Sequence, residues 1–383
     1  MVLEETIYLD NAATTFPKSE SVYVAMDKAN REYAVNAGRG SYYLAQKANQ
    51  VIDETKNMLL ELVSAPASAK VVFTPSVTIA MNIILSGIEW HKGDVVYVSP
   101  YEHNAVARTL QKIKNEKQIE VKLIPLNDNY EIDLLRMENL FFADKPKCVC
   151  CTGVSNVTGY ILPTKEVFRI AKQVDAITVL DSAQSLGLIE QDLNDIDYLA
   201  FAGHKTLYGP FGIGGFIDNS NFILNAVVVG GTGSNSLILD MPEDSPSRYE
   251  SSSPNIVAIA GLNAALKELD VRKNYEAEKQ LTEYALERLE NIFNVKVYKT
   301  ANLDSQIGII SFNIKNSGLS ADEVGKILDE EFGISVRTGY HCAPYIHEII
   351  KDIEYNGTVR LGIGKFNEKD DIDALCEVLE EMV

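Results

Sequence analysis

The chain has 383 residues, 46% of them hydrophobic and 23% charged, proportions ordinary for a globular protein. Lys and Arg total 35 against 54 Asp and Glu, a formal net charge of −19, which opposes non-specific binding to nucleic acid or to an anionic membrane. No apolar run approaches the roughly 18 residues that a spanning helix needs, and the start "MVLEETIYLD" is acidic where a secretory signal is basic. The expectations are a cytoplasmic location, no membrane and no nucleic-acid partner. The length exceeds what one compact core accommodates, so two domains are expected.

The elements, in chain order, begin with "KVVFT", followed by a helix from about Thr78. "DVVYVSP" precedes "EHNAVARTLQKIK", and "VKLIPL", "KCVCCTG", "AITVLDSAQ", "YLAFAGHK" and "FGIGGFI" follow. These strands are apolar throughout rather than alternating, which predicts a parallel sheet covered on both faces. Strand and helix in turn predict an α/β doubly wound core. After Pro254 the pattern changes. "NIVAIAGLNAALKEL" and "EKQLTEYALERLENIF" read as long amphipathic helices, and "VKVYK", "IGIISFNI" and "GTVRLGI" as strands. Ser320 and Glu323 form a capping-box pattern for a helix ending at Gly333, and "DDIDALCEVLEEMV" closes the chain as a helix. The expected division is a large α/β domain over 15–256 and a smaller α+β domain from 1–14 and 257–383.

Five cysteines, an odd number, do not suggest a disulfide framework. In "KPKCVCCTGVSN" the three cysteines lack a paired metal-ligand spacing and read as strand core, so no metal is expected.

Ligands of an open parallel sheet sit beyond the carboxyl ends of its strands. The polar residues expected there are Thr78, His103, Asn156, Asp181, Gln184, His204 and Lys205. A partly desolvated lysine can form a Schiff base with an aldehyde. A carboxylate can keep a pyridine nitrogen protonated, and an imidazole can stack on the ring. Backbone N–H groups at a helix start can hold a phosphate. Together these chemistries describe a pyridoxal 5'-phosphate (PLP) site. The glycines of "AFAGHKTLYGPFGIGGF" would let the backbone pass close beside it. Each residue alone has a plainer reading, as surface lysine, turn cap or helix start. Their joint order carries the argument.

The motifs "YLDNAATT", "FTPSVTIAMN", "YEHNAV", "VSNVTG", "DSAQ", "GHKTLYGPFGIG", "RYESSSPN", "RTGYHCAP" and "VRLGIG" run nearly the whole chain. In that order they resemble the class V aminotransferase group of PLP enzymes and, within it, the cysteine desulfurases. The resemblance implies the fold type I architecture of PLP-dependent transferases: a mostly parallel large domain and a smaller α+β C-terminal domain. It implies that Lys205 holds PLP covalently and moves protons, that His103 stacks on the ring, that Asp181 pairs with the pyridine nitrogen, and that Gln184 contacts the ring hydroxyl. Asn156 would lie near that hydroxyl and the substrate carboxylate. The Val77 backbone, Thr78 and His204 would hold the phosphate. Ser253 would reach the phosphate from a second subunit, implying a homodimer, and Arg360 would clamp the substrate carboxylate.

Cys342 would attack the sulfur of L-cysteine and leave as a persulfide, for a separate acceptor protein or a thiol. A free thiol is only slightly ionised at neutral pH, and nearby positive charge raises that fraction; Arg337 and His341 are the candidates to supply it. Two other readings stay open: a selenocysteine lyase or related PLP enzyme, and a low-activity sulfur-relay or PLP-binding partner protein. The chain departs from the resemblance at Ala202 and at Pro75, Ser76 and Ile79. The receiving pathway, whether iron–sulfur cluster assembly or another, is left open.

Overall fold

A computed structural model describes residues 6–37, 40, 42–233 and 237–382. In chain order the first part contains β1 (Ile7–Tyr8), α1 (Glu20–Glu32), α2 (Tyr43–Leu62), β2 (Lys70–Thr74), α3 (Val77–Gly87), β3 (Val95–Val98), α4 (Asn104–Lys117), β4 (Glu120–Leu123), α5 (Leu134–Asp144), β5 (Cys148–Thr152), α6 (Thr164–Lys172), β6 (Ile177–Asp181), β7 (Tyr198–Ala202) and β8 (Gly214–Asp218). The second part contains α7 (Ile256–Lys267), α8 (Val271–Glu290), β9 (Val295–Tyr298), β10 (Ile309–Ile314), α9 (Ala321–Phe332), β11 (Ile334–Ser335), β12 (Arg337–Gly339), α10 (Ile346–Ile350), β13 (Thr358–Gly362) and α11 (Lys369–Glu381).

The large sheet has the order β2-β8-β7-β6-β5-β3-β4. Its pairs are parallel except at β8, which runs antiparallel to both β2 and β7. That exception follows from its link: only a turn joins β7 to β8, too short for a crossover. The inner strands β5, β6, β7 and β8 are buried on both faces, whereas the edge strand β4 is partly exposed. Tyr198, Ala200 and Ala202 enter one core, whereas Leu199 and Phe201 enter the other. Cys148 and Cys150 divide from Cys151 in the same way, so the period of two distributes β5 cysteines into two cores as small apolar residues.

The second sheet, β12-β13-β10-β9, is antiparallel. Phe312, Val359 and Leu361 pack with Leu281, Leu286, Leu375 and Leu379 from α8 and α11. The Ser320–Glu323 capping box forms, and Gly333 closes α9 in the left-handed conformation. One expectation fails at α7. It is buried on most sides rather than amphipathic, and it packs against α1 and α2. Its Ala- and Gly-rich sequence lets it sit against other helices, with Lys267 exposed at its end.

The segment after β1 joins the two sheets. β1 pairs with β11, Asp10 bridges to Gly362, and Thr15 N donates to the His204 carbonyl. Among the described residues, no helix is long and apolar enough to cross a membrane.

Candidate active site

The carboxyl ends of β2, β3, β5, β6 and β7 point the same way and deliver the expected polar residues to one side. β6 ends at Asp181 and β7 stops two residues before His204 and Lys205, with no helix in the connection between these strands. Asp181 is buried, and its Oδ1 accepts from Ala183 N at 3.0 Å. Burial raises its carboxyl affinity for a proton, while the Ala183 N–H and the Lys205 charge oppose the rise. Lys205 is pulled down to about 8, first by burial, then by Arg360 and Arg337, against the opposing pull of Asp181. A fair share of free amine is therefore present near neutral pH.

His103 caps α4, its Nδ1 accepting from Ala105 N at 3.0 Å. Burial and the charges of Lys205 and Arg360 push it down to about 4. The ring is neutral, and the Nδ1 contact places its proton on Nε2. His204 is likewise pushed down to about 4, by burial, Lys205 and Lys18. Its ring stacks on Phe211 at 4.6 Å, and its buried Nδ1 has no hydrogen-bond partner among the described residues.

The start of α3 lies beside this strand end. Ala202 pairs with Gly214, and a Cβ on Gly214 would stand 2.9 Å from Val77 N. Ser76 caps the helix through Ile79 N, while Val77 and Thr78 occupy the first turn, whose N–H groups have no intrahelical acceptor. The glycines here allow backbone to approach backbone: Gly214 meets Val77 N beside the start of α3, Gly215 meets Val72 O, Gly203 meets Ile213 O, and Gly209 meets Gly203 O.

The cleft wall opposite comes from the second sheet. Arg360 is 2% exposed. Its Nη2 donates to Asp10 Oδ1 at 2.9 Å and its Nη1 to the Asn156 carbonyl at 2.8 Å. Among the described residues its buried Nε has no hydrogen-bond partner. Asn156 Nδ2 donates to the His341 carbonyl at 2.7 Å, and Gln184 Nε2 to the Ala12 carbonyl at 2.7 Å. Ser253 is exposed and its Oγ accepts from Asn36 Nδ2 at 3.1 Å.

Cys342 is exposed on the turn Tyr340–Ala343. Its carbonyl accepts from Asn104 N at 2.6 Å, next to His103. The thiol-bearing turn is therefore pinned to the same strand ends that carry Asn156 and His103. One expectation is corrected here. His341 cannot supply positive charge: burial drives it well below its ordinary value, and its Nε2 is engaged with Thr358 Oγ1 at 2.8 Å. Arg337 is held by Asp10 at 3.3 Å. Lys205 and Arg360 both lie within electrostatic reach of Cys342.

Three residues escaped the sequence reading. Asp10 anchors Arg360 and Arg337. Lys18 donates from Nζ to Thr15 Oγ1 at 2.5 Å and to the His204 carbonyl at 3.0 Å, and burial with the Lys365 charge pulls it down to about 7. Glu102 is fully buried and pushed up to about 8 by burial and by Asp181; its Oε1 accepts from Thr152 N at 2.6 Å, and its Oε2 has no partner among the described residues. Only Glu102 left a local trace, an acid immediately before His103.

The donor set fits a phosphorylated pyridine aldehyde. A buried amine, a buried carboxylate, an imidazole nitrogen with no partner among the described residues and open helix N–H groups lie at the ends of β7, β6 and β2. The fold is that of a fold type I PLP-dependent transferase. A family model for class V aminotransferases matches residues 7–375, and the chain belongs to that family. It is 32% identical to a probable cysteine desulfurase of Methanothermobacter thermautotrophicus, covering 100% of this chain and 96% of that one. It is also 32% identical to a probable cysteine desulfurase of Pyrococcus abyssi, covering 99% and 95%. The apo structure of a cysteine desulfurase from Thermococcus onnurineus superposes with a TM-score of 0.90 at 30% identity, over 99% of this chain and 94% of the other.

Proposed function

We propose that this protein is a PLP-dependent cysteine desulfurase that converts L-cysteine to L-alanine and takes the sulfur onto Cys342 as a persulfide. The observation that carries the reading is the placement of an exposed thiol on a turn held by Asn156 and by Asn104, beside Lys205, Asp181 and His103. Full-length similarity to proteins named cysteine desulfurase supports it.

In this reading Lys205 would hold PLP covalently. Asp181 would pair with the pyridine nitrogen, His103 would stack on the ring and Gln184 would contact the ring hydroxyl. The Val77 and Thr78 N–H groups and His204 Nδ1 would hold the phosphate. Once bound, the cofactor supplies an electron sink for the pair released at the substrate Cα. Arg360, aided by Asn156, orients the substrate carboxylate. Lys205 Nζ, with its lowered proton affinity, moves the Cα proton. Cys342 Sγ bonds to the substrate sulfur as the Cβ–S bond breaks. His103 enters as a proton donor through Nε2, because Nδ1 is committed to Ala105 N. In a homodimer the exposed Ser253 would serve the partner's phosphate site. A separate acceptor protein or a thiol then removes the sulfur.

The test is product formation by the PLP-loaded protein with L-cysteine and a reducing thiol. Alanine and sulfide in equal amounts from the parent, and neither from Cys342→Ala, is the expected result. Equal activity of both proteins would overturn the persulfide role in favour of a lyase. If neither forms product while PLP remains on Lys205, the desulfurase reading fails.

A further inference from the structure

The turn that presents Cys342 is unusual in its backbone. Ala343 N donates to the Tyr340 carbonyl at 3.0 Å, and both central residues have positive φ, 45° at His341 and 56° at Cys342. That is the pattern of a type I′ turn, which glycine and asparagine normally occupy. Left-handed backbone costs an ordinary side chain roughly 1–2 kcal/mol. Two such residues in succession need something to hold them.

His347 is such a support. It is 3% exposed, and its Nε2 lies 2.8 Å from the Tyr340 carbonyl. Its Nδ1 lies 2.5 Å from Oδ2 of Asp352, itself fully buried. A carbonyl only accepts, so Nε2 must carry a proton. Asp352 fixes the ring plane that aims this proton. The Tyr340 ring meets the imidazole edge-on at 5.0 Å. The Asp352 carbonyl in turn accepts from Gly357 N at 3.2 Å, next to β13 and Arg360. One buried pair thereby ties the Cys342 turn to the strand that carries Arg360.

We infer that His347, oriented by Asp352, is a positioning residue that holds the left-handed Tyr340–Ala343 turn and so fixes where the Cys342 thiol stands. The consequence for sulfur transfer rests on the desulfurase reading; the consequence for the turn does not. His347→Phe removes the donor but keeps the ring volume. His347→Gln puts an amide N–H near the position of Nε2.

The experiment uses the full-length PLP-loaded protein. Amide hydrogen exchange is followed over 339–345, with β9 as a control for global loosening. In the same variants, single-turnover persulfide on Cys342 is compared with exchange of the substrate Cα proton in D2O, which uses Lys205 and not the thiol. In His347→Phe, exchange in the turn should rise about tenfold with β9 unchanged. Persulfide formation should fall about tenfold while Cα-proton exchange stays within about twofold. His347→Gln should recover most of both. Unchanged turn exchange, or turn and β9 loosening together, would overturn the inference. So would persulfide formation and Cα exchange falling in parallel. If the parent forms no persulfide, the desulfurase reading falls, and turn exchange alone decides the role of His347. Should the Phe variant not fold, His347→Asn, too short to reach the Tyr340 carbonyl, takes its place under the same criteria.

Discussion

Asp10 Oδ1 accepts from Arg360 Nη2 at 2.9 Å across 350 residues of chain. Arg360 is buried, so this carboxylate balances a charge that water cannot reach. Asp10 also holds Arg337 at 3.3 Å. Asp10→Asn keeps the shape and removes the charge. We expect a loss of roughly 2–4 kcal/mol in stability, since an unpaired buried charge is costly. KM for L-cysteine should rise more than kcat falls, because the guanidinium loses its orientation. Denaturant unfolding and steady-state kinetics check both. A variant with parental stability would show that water screens this pair.

Arg360→Ala tests the clamp itself. Two charge-assisted hydrogen bonds to a carboxylate are worth about 3 kcal/mol together, or roughly a hundredfold in kcat/KM. The loss should appear with L-cysteine and be absent for PLP binding. Equal loss of both would move Arg360 from the substrate to the cofactor.

Burial pulls the Lys205 amine down to about 8. Only the neutral amine attacks an aldehyde, so capture of PLP by apoprotein should speed up as pH rises and level off above about 8. Borohydride trapping with mass spectrometry reads the rate. Asp181 raises the proton affinity of Lys205. Asp181→Asn should therefore move the midpoint to lower pH. A midpoint that stays in place would separate the two residues electrostatically.

The placement of Lys205 and Asp181 at strand ends was legible in the sequence because each side chain follows an apolar run, and such runs announce strands. Asp10 was not. Its partner lies in another sheet, and nothing within a few residues of it marks the contact.

Glu278 is buried and pushed up to about 8 from 4.5 by burial, with Tyr208 OH donating to Oε1 at 3.1 Å. Its folded affinity for a proton exceeds its unfolded one. The stability it contributes is present in full below about 4.5 and is lost as pH rises through about 8. Glu278→Gln removes this titration. The variant should lose less stability than the parent between those limits and exceed it at the alkaline end. Thermal melts across the range, with identical slopes for parent and variant, would refute the assignment.

Gly214 and Gly215 test the close approach of backbones. An added Cβ would stand 2.1 Å from Val72 O at Gly215, and 2.9 Å from Val77 N and Phe201 O at Gly214. Gly215→Ala should cost about 1–3 kcal/mol or more through overpacking. Gly214→Ala should also weaken PLP binding by displacing the start of α3, which a cofactor titration would reveal. Unchanged affinity would remove that helix start from the phosphate site.

The sequence by itself determined the features that depend on near neighbours. Apolar runs defined the strands, and the Ser320–Glu323 box and Gly333 defined α9. The residues following those runs defined the cleft, because side chains at strand ends have nowhere else to face. The tertiary structure decided whatever depends on distant parts of the chain meeting. It turned β8 antiparallel, buried α7 on most sides, and joined Gln184 to Ala12 and Arg360 to Asp10 across 172 and 350 residues. It made His341 neutral, since burial and neighbouring cations decide its charge. It also fixed Cys342 on a left-handed turn gripped from α4, α10 and the loop after β5. Periodicity and caps act over a few residues and leave a local signature; closing a long loop onto a specific partner leaves none.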